Sequence, residues 1–196
     1  MKSRRCAQCR KKCPLENILT SNLRAFCSME CLIAFTKSEK GKTAIKKTIE
    51  RHNRQDRARV LDKQKTRSQW LSEAQSAFNR YVRWRDRHEP CISCGKYVRN
   101  KYGGNWDASH YRSRGSAPHL RFHLWNAHKS CVKCNRWLSG NIAEYRIALV
   151  QKIGLNKVLI LESLQTTVNL DIVYLKRIKS IFTRLLKQRQ KRNGAN

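Results

Sequence analysis

Nine cysteines constrain this chain more than any other feature, because eight of them fall into two sets of paired spacing. Cys6-x2-Cys9 is followed by Cys27-x3-Cys31, and Cys91-x2-Cys94 is followed by Cys131-x2-Cys134. Two close pairs brought together by the chain between them are how a small module closes an all-thiolate tetrahedral site around zinc. Disulfides are the poorer use of these residues, since "MKSRRCAQCRKKC" has no apolar run behind it to act as a signal peptide and a reducing cytosol keeps thiols free. The expectation is a cytoplasmic protein with two structural zinc sites, one on each set. Cys13 is a fifth cysteine in the first set, which either replaces Cys9 as a ligand or is a buried thiol. A thioredoxin-like use of either CxxC would need a βαβ context that the Gly- and His-rich surroundings do not offer.

Between the cysteine sets the composition changes twice. Residues 37–67 hold 12 Lys and Arg against 4 acids and only scattered aliphatics, which makes them a basic connector, helical in expectation, either solvated or lying on a polyanion. Then Trp70, Leu71, Ala74, Ala77, Phe78, Tyr81 and Val82 recur at helical spacing, with Ser68 placed to cap the start and Pro90 to end the run before Cys91. "NIAEYRIALVQKIG" reads as a helix closed by Gly154, and a last helix with Asn169 as its cap carries the stripe Ile172, Leu175, Ile178, Phe182 and Leu185. The domains expected are a four-cysteine finger over 1–36, the connector over 37–67, and a second cysteine-stapled domain over 68–196. Across the whole chain 43 Lys and Arg stand against 13 Asp and Glu, a formal charge of +30. So large and so evenly spread an excess points to a polyanionic partner, and nucleic acid is the first choice because counterion release favours phosphate contacts of any sequence. No apolar stretch approaches the ~20 residues of a membrane span.

The chemistry lies between Cys91 and Asn135. Asp107, His110, Asn126 and His128 sit inside the loop between the two CxxC pairs, and Asn135 follows the last cysteine. A hard divalent ion such as Mg²⁺ or Mn²⁺ takes oxygen ligands and keeps most of its waters, so Asp107 and Asn135 suit it. His110, near its unperturbed pKa, suits a general base. Arg112, Arg114 and Arg121 flank "SRGSAP" beside that base and are candidate DNA contacts.

The order CxxC, DxxH, CxxCN resembles the zinc-stapled HNH, or His-Me finger, endonucleases, and phage endonuclease VII among them. More closely, "PCISCG", "WDASHYRS", "APHLRF", "NAHKSCVKCN" and "SGN" resemble the phage NinG (Rap) recombination endonucleases, a likeness that runs over most of the chain and is strongest from Cys91 to Asn141. The resemblance implies an α+β protein with a zinc-stapled ββα-metal core, flanking helices and an N-terminal four-cysteine finger. It implies a structure-selective DNA endonuclease acting on branched recombination intermediates such as D-loops and Holliday junctions, in the cytoplasm of a phage's bacterial host. Asp107 and Asn135 become ligands of the catalytic Mg²⁺ or Mn²⁺, His110 the base, and Asn126 the brace of the loop that carries it. His128, grouped with His110 and Asn126 as a catalytic candidate, orients phosphate, ligates metal or packs. Common HNH motifs place an acid or a second His directly before the base, whereas Ser109 stands there in this chain. Branched DNA is the expected partner, with a homodimer and other phage recombination proteins as protein partners. The rival readings are a two-zinc DNA-binding protein without chemistry and an RNA-binding zinc protein.

Overall fold

A computed structural model describes residues 3–21, 24–97 and 106–194. The chain divides into two units, Met1–Lys65 and Thr66–Asn196.

In the first unit β1 (Ser3–Arg5) pairs antiparallel with β2 (Lys12–Pro14), and β3 (Leu19–Ser21) with β4 (Arg24–Phe26). Arg10 has a left-handed backbone, φ 65°, and its N–H returns to the Cys6 carbonyl at 3.1 Å, which folds the first cysteine pair into a knuckle. The Ser28 side chain accepts from the Cys31 N–H and starts α1 (Met29–Lys37), so the second pair straddles a helix N-terminus. Ser38 caps α2 (Glu39–Gln64) in the same way through the Gly41 N–H. A Cβ on Gly41 would lie 1.7 Å from the Phe35 carbonyl oxygen, so only glycine lets the two helices approach here. The core is small: Cys6, Cys13, Phe26 and Phe35, with the two rings 5.4 Å apart. Of α2 only Gly41 is buried, so the basic segment is one long helix whose first turns belong to the finger and whose remainder buries nothing.

The second unit opens with α3 (Arg67–Arg85), capped by Thr66 and not by Ser68. Thr66 and Gln69 form a reciprocal capping box that satisfies two backbone donors, which a cap at Ser68 would forgo. The chain then passes the second knuckle, and β5 (Trp106–His110) pairs antiparallel with β6 (Ala127–Cys131) as a two-stranded ribbon. The link from the knuckle into β5 lies outside the described residues. A wide π-helical turn, Lys133–Trp137, follows β6 and leads to α4 (Ile142–Ile153), α5 (Leu155–Ser163) and α6 (Ile172–Asn193). Gly154 ends α4 at φ 88°, as its position suggests, whereas α6 is capped by Asp171 and not Asn169, the Asp171 carboxylate accepting from the Tyr174 N–H at 2.7 Å.

The apolar stripe of α3 packs on α6, with Phe78 edge-on to Phe182 at 4.9 Å, and one face of the ribbon, Ala108 and Ala127, closes this core. A second core joins Tyr111, Ala117 and Leu120 to Tyr145 and Leu149 of α4 and Val158 and Leu161 of α5. Tyr145 donates to the Ser109 carbonyl at 3.1 Å, so the ribbon is held between the α3–α6 pair and α4. Among the described residues no helix is long and apolar enough to cross a membrane.

Candidate metal and nuclease site

Each cysteine set gathers its sulfurs within 4.8 Å of one another: Cys6, Cys9, Cys27 and Cys31, and Cys91, Cys94, Cys131 and Cys134. Tetrahedral zinc with Zn–S near ~2.3 Å requires sulfurs ~3.8 Å apart, and Cys27–Cys31 at 3.4 Å, Cys9–Cys27 at 3.5 Å and Cys94–Cys131 at 3.9 Å match that need. Cys13 stands outside the tetrad, buried and directed at the Lys11 carbonyl, so Cys9 keeps the ligand position. In the second tetrad burial pushes the Cys91 thiol up, but the Ser130 hydroxyl and the Cys131 and Cys94 backbone N–H groups outweigh it and bring the thiol to about 6, which prepares a thiolate for a metal. Ser93 donates to the Gly140 carbonyl at 2.9 Å and so ties this knuckle to the turn after the π-helical segment. There Ser139, Gly140 and Asn141 all have left-handed backbones, φ 49°, 91° and 47°, which bends the chain sharply from Asn135 into α4.

Asp107, His110 and Asn135 border one open cavity of about 520 Å³, together with Asn79, Arg114 and Arg136. Strand alternation alone would put Asp107 and His110 on opposite faces of β5. They meet because the cavity runs along β5, which pairs with β6 alone among the described residues, and takes in Ala108 and Ser109 as well.

His110 Nε2 lies 2.9 Å from the Arg121 carbonyl oxygen. A carbonyl oxygen only accepts, so Nε2 carries the hydrogen and Nδ1 keeps its lone pair. Burial pushes the imidazole down to about 4, and the positive charges of Arg114 and Arg121 act in the same direction, against the favourable bond to the Arg121 carbonyl. The ring is therefore neutral well below neutral pH, lower than the ordinary histidine value expected from sequence.

Asp107 is held below the usual carboxylate range, first by Arg136 and then by Asn135. Arg136 grips both its oxygens, Nε to Oδ2 at 2.8 Å and Nη2 to Oδ1 at 3.0 Å, and Asn135 Nδ2 donates to Oδ2 at 2.9 Å. The Asn135 amide thus turns its nitrogen to Asp107 and leaves its own oxygen as a further donor atom. One carboxylate and one amide oxygen side by side fit a hard divalent cation. Arg136 already supplies positive charge to that carboxylate, and its side chain, 63% exposed, is free to leave for solvent or phosphate.

Asn126 is fully buried and uses both ends of its amide. Its Oδ1 accepts from the Arg112 N–H at 2.8 Å, and its Nδ2 donates to the carbonyls of Arg112 and Leu120 at 3.0 and 3.2 Å. It braces the 111–126 loop whose Arg121 carbonyl orients His110, and it does not border the cavity. His128 is 3% exposed, and its Nδ1 lies 3.2 Å from the Tyr145 hydroxyl. Since that hydroxyl spends its hydrogen on Ser109, His128 packs as a neutral donor against Tyr145 of α4 and does not border the cavity. Burial, aided by the charge of Arg85, takes it to about 3. Of the three arginines, Arg114 borders the cavity, Arg121 lies just beyond it, and Arg112 turns away to donate to the carbonyls of Leu161, Glu162 and Leu164 at the end of α5. Arg136 and Asn79 were not foreseen. Arg136 directly follows Asn135, but a single arginine in so basic a chain carries no signal.

The family model described as "Bacteriophage Lambda NinG protein" matches residues 1–192. The chain is 43% identical over 123 residues to protein ninG of Escherichia phage lambda, covering 63% of this chain and 58% of the relative. It is 48% identical over 99 residues to protein ninG of Salmonella phage P22, covering 50% and 47%. It is 49% identical over 90 residues to protein ninG of Escherichia phage 933W, covering 46% and 43%. The chain thus matches about half the length of these curated relatives. No solved structure matches.

Proposed function

The chain belongs to the NinG family, and we propose that it is a metal-dependent endonuclease that hydrolyses phosphodiester bonds in branched DNA, with a ββα-metal core of the HNH kind. One observation carries this: a neutral histidine, fixed through Nε2–H with Nδ1 available, borders the same cavity as the adjacent oxygen donors Asp107 and Asn135. His110 Nδ1 takes a proton from water as the water oxygen attacks phosphorus, and the 3′ oxygen leaves with a proton from solvent. Arg114 receives the non-bridging oxygens, and Asn126 keeps the loop behind the base in place. Asp107 and Asn135 would hold an Mg²⁺ or Mn²⁺ ion, which would supply positive charge to the phosphate and to the leaving oxygen. Zinc is the ion proposed for each cysteine tetrad, where its role is to fold the chain.

The Arg136 fork on Asp107 favours the alternative of a binding protein without chemistry, since it satisfies the carboxylate within the chain. A labelled four-way junction and a linear duplex, incubated with Mg²⁺, Mn²⁺ or EDTA, decide between them. Ion-dependent nicking of the junction by the full chain is expected, with its loss in a folded, zinc-loaded His110→Ala protein. Tight junction binding with no nicking under any ion supports the binding protein. Equal nicking by His110→Ala removes His110 from the mechanism.

A further inference from the structure

Beside the catalytic cavity is a second one, of about 470 Å³, between α3 and the segment that carries Arg114 and Arg121. Ser72, Gln75 and Asn79 line it from α3, and Arg83, Arg114 and Arg121 surround them; no carboxylate is present among its described lining residues. Arg121 is the unusual member. One of its Nη groups donates to Gln75 Oε1 at 3.2 Å, while its Nε is buried and has no hydrogen-bond partner. A buried guanidinium donor without an acceptor is costly, and among the described residues a neutral amide is its one side-chain acceptor, which leaves its charge uncompensated. Burial lowers its pKa, and the charges of Arg114 and Arg67 lower it further. Hydroxyls, amides and guanidinium groups around an uncompensated arginine are the chemistry of a phosphate receptor.

The two cavities share Asn79 and Arg114 as walls. Arg121 links them further, since its side chain enters this groove while its carbonyl holds His110, which borders the other cavity. Resting on the nuclease assignment, we propose that this groove is a second phosphate subsite, which takes the phosphodiester next to the scissile one on the same DNA strand. Occupying it fixes the strand and, through the same residue, the carbonyl that orients the base.

The test is a methylphosphonate scan. Four-way junctions carrying one uncharged methylphosphonate at successive positions of a strand are bound by the full chain in EDTA, so that cleavage does not enter. One position is expected to cost about tenfold in affinity, the order of one charged hydrogen bond. Arg121→Gln should lose a similar factor on the unmodified junction and no further affinity when that position is neutral. Ser76→Glu changes an exposed α3 residue of the same groove, places a carboxylate there without disturbing the core, and should behave alike. Cutting in Mn²⁺ should fall at the phosphate beside the coupled position. The proposal is overturned if both variants bind like the unmodified chain, or if their losses add to those of every methylphosphonate. It is also overturned if the coupled position lies away from the cut. Coupling without any cutting would keep a phosphate site and remove the nuclease assignment, whereas cutting without coupling would do the reverse.

Discussion

Lowering the pH tests the state of His110 directly. Only a neutral imidazole can accept a proton, so the acid limb of the rate follows the neutral fraction of the ring. An ordinary histidine of pKa ~6.5 is only about 10% neutral at pH 5.5, whereas burial and the Arg114 and Arg121 charges bring this one to about 4. At that value the ring is still more than ~90% neutral at pH 5.5. Nicking of a junction at saturating enzyme and Mn²⁺ should therefore fall by less than twofold between pH 7.5 and pH 5.5, against about tenfold for an unperturbed base. Arg114→Gln removes one of the charges that depress the imidazole, so its limb should move toward neutral pH whatever happens to its maximal rate. A rate that drops tenfold per pH unit from ~6.5 downward, with zinc still bound, would refute the buried and positively flanked state assigned to His110.

Three further outcomes follow from the same geometry. Asn126→Ala takes the side-chain partner from the Arg112 N–H and carbonyl, while the Leu120 carbonyl keeps the His123 N–H, and urea unfolding should show a loss of about 2 kcal/mol or more. Elemental analysis should find two zincs per chain, and Cys131→Ser should unfold the ribbon, because metal binding and folding are one equilibrium; a stoichiometry of one would leave one tetrad without a role. His128 is pushed down to about 3, so its protonation favours the unfolded chain: its stability contribution is complete above ~6.5 and is lost as pH falls toward about 3. The stability difference between the native chain and His128→Gln should shrink by about 2 kcal/mol from pH 7 to pH 5.

Features carried by spacing were legible in the sequence, and features carried by a partner were not. Both cysteine tetrads, the α3 stripe from Trp70 to Val82, the stripe centred on Leu175 and Phe182, and the neighbourhood of Asp107, His110 and Asn135 all follow from positions along the chain. Arg112 and Arg114 look alike in "YRSRGS", yet one spends its guanidinium on α5 carbonyls and the other faces the cavity. The difference lies in where α5 ends, some fifty residues further along. His128 reads as a site residue until Tyr145 is placed against it. The caps at Thr66 and Asp171 were missed for a local reason: Ser68 and Asn169 lie close to the apolar runs, but the true caps are those whose side chains reach the third residue on.

The ribbon links the second cysteine tetrad to the cavity. Two short strands are marginal in water on their own, and a third strand on β5 would cover the edge along which the cavity runs. The chain secures the ribbon at its ends instead. At one end Trp106 pairs with Cys131, inside the second tetrad, and Lys129 lies 4.2 Å above the Trp106 ring. At the other end the Tyr111 N–H donates to the Asn126 carbonyl at 2.8 Å, and the Asn126 side chain closes the loop beyond. Asp107 lies one residue from the metal end, and His110 one residue from the Asn126 end. The separation of Asp107 and His110 is thus set by two anchors that do not themselves border the cavity. Loosening either anchor should move one of the pair and leave the other in place: chelating zinc should weaken Mn²⁺ binding before it alters the His110 tautomer, and Asn126→Ala should do the opposite. Histidine ¹⁵N shifts and Mn²⁺ binding, followed side by side during zinc removal, read the two separately, and a simultaneous loss of both would show that the ribbon melts as one piece.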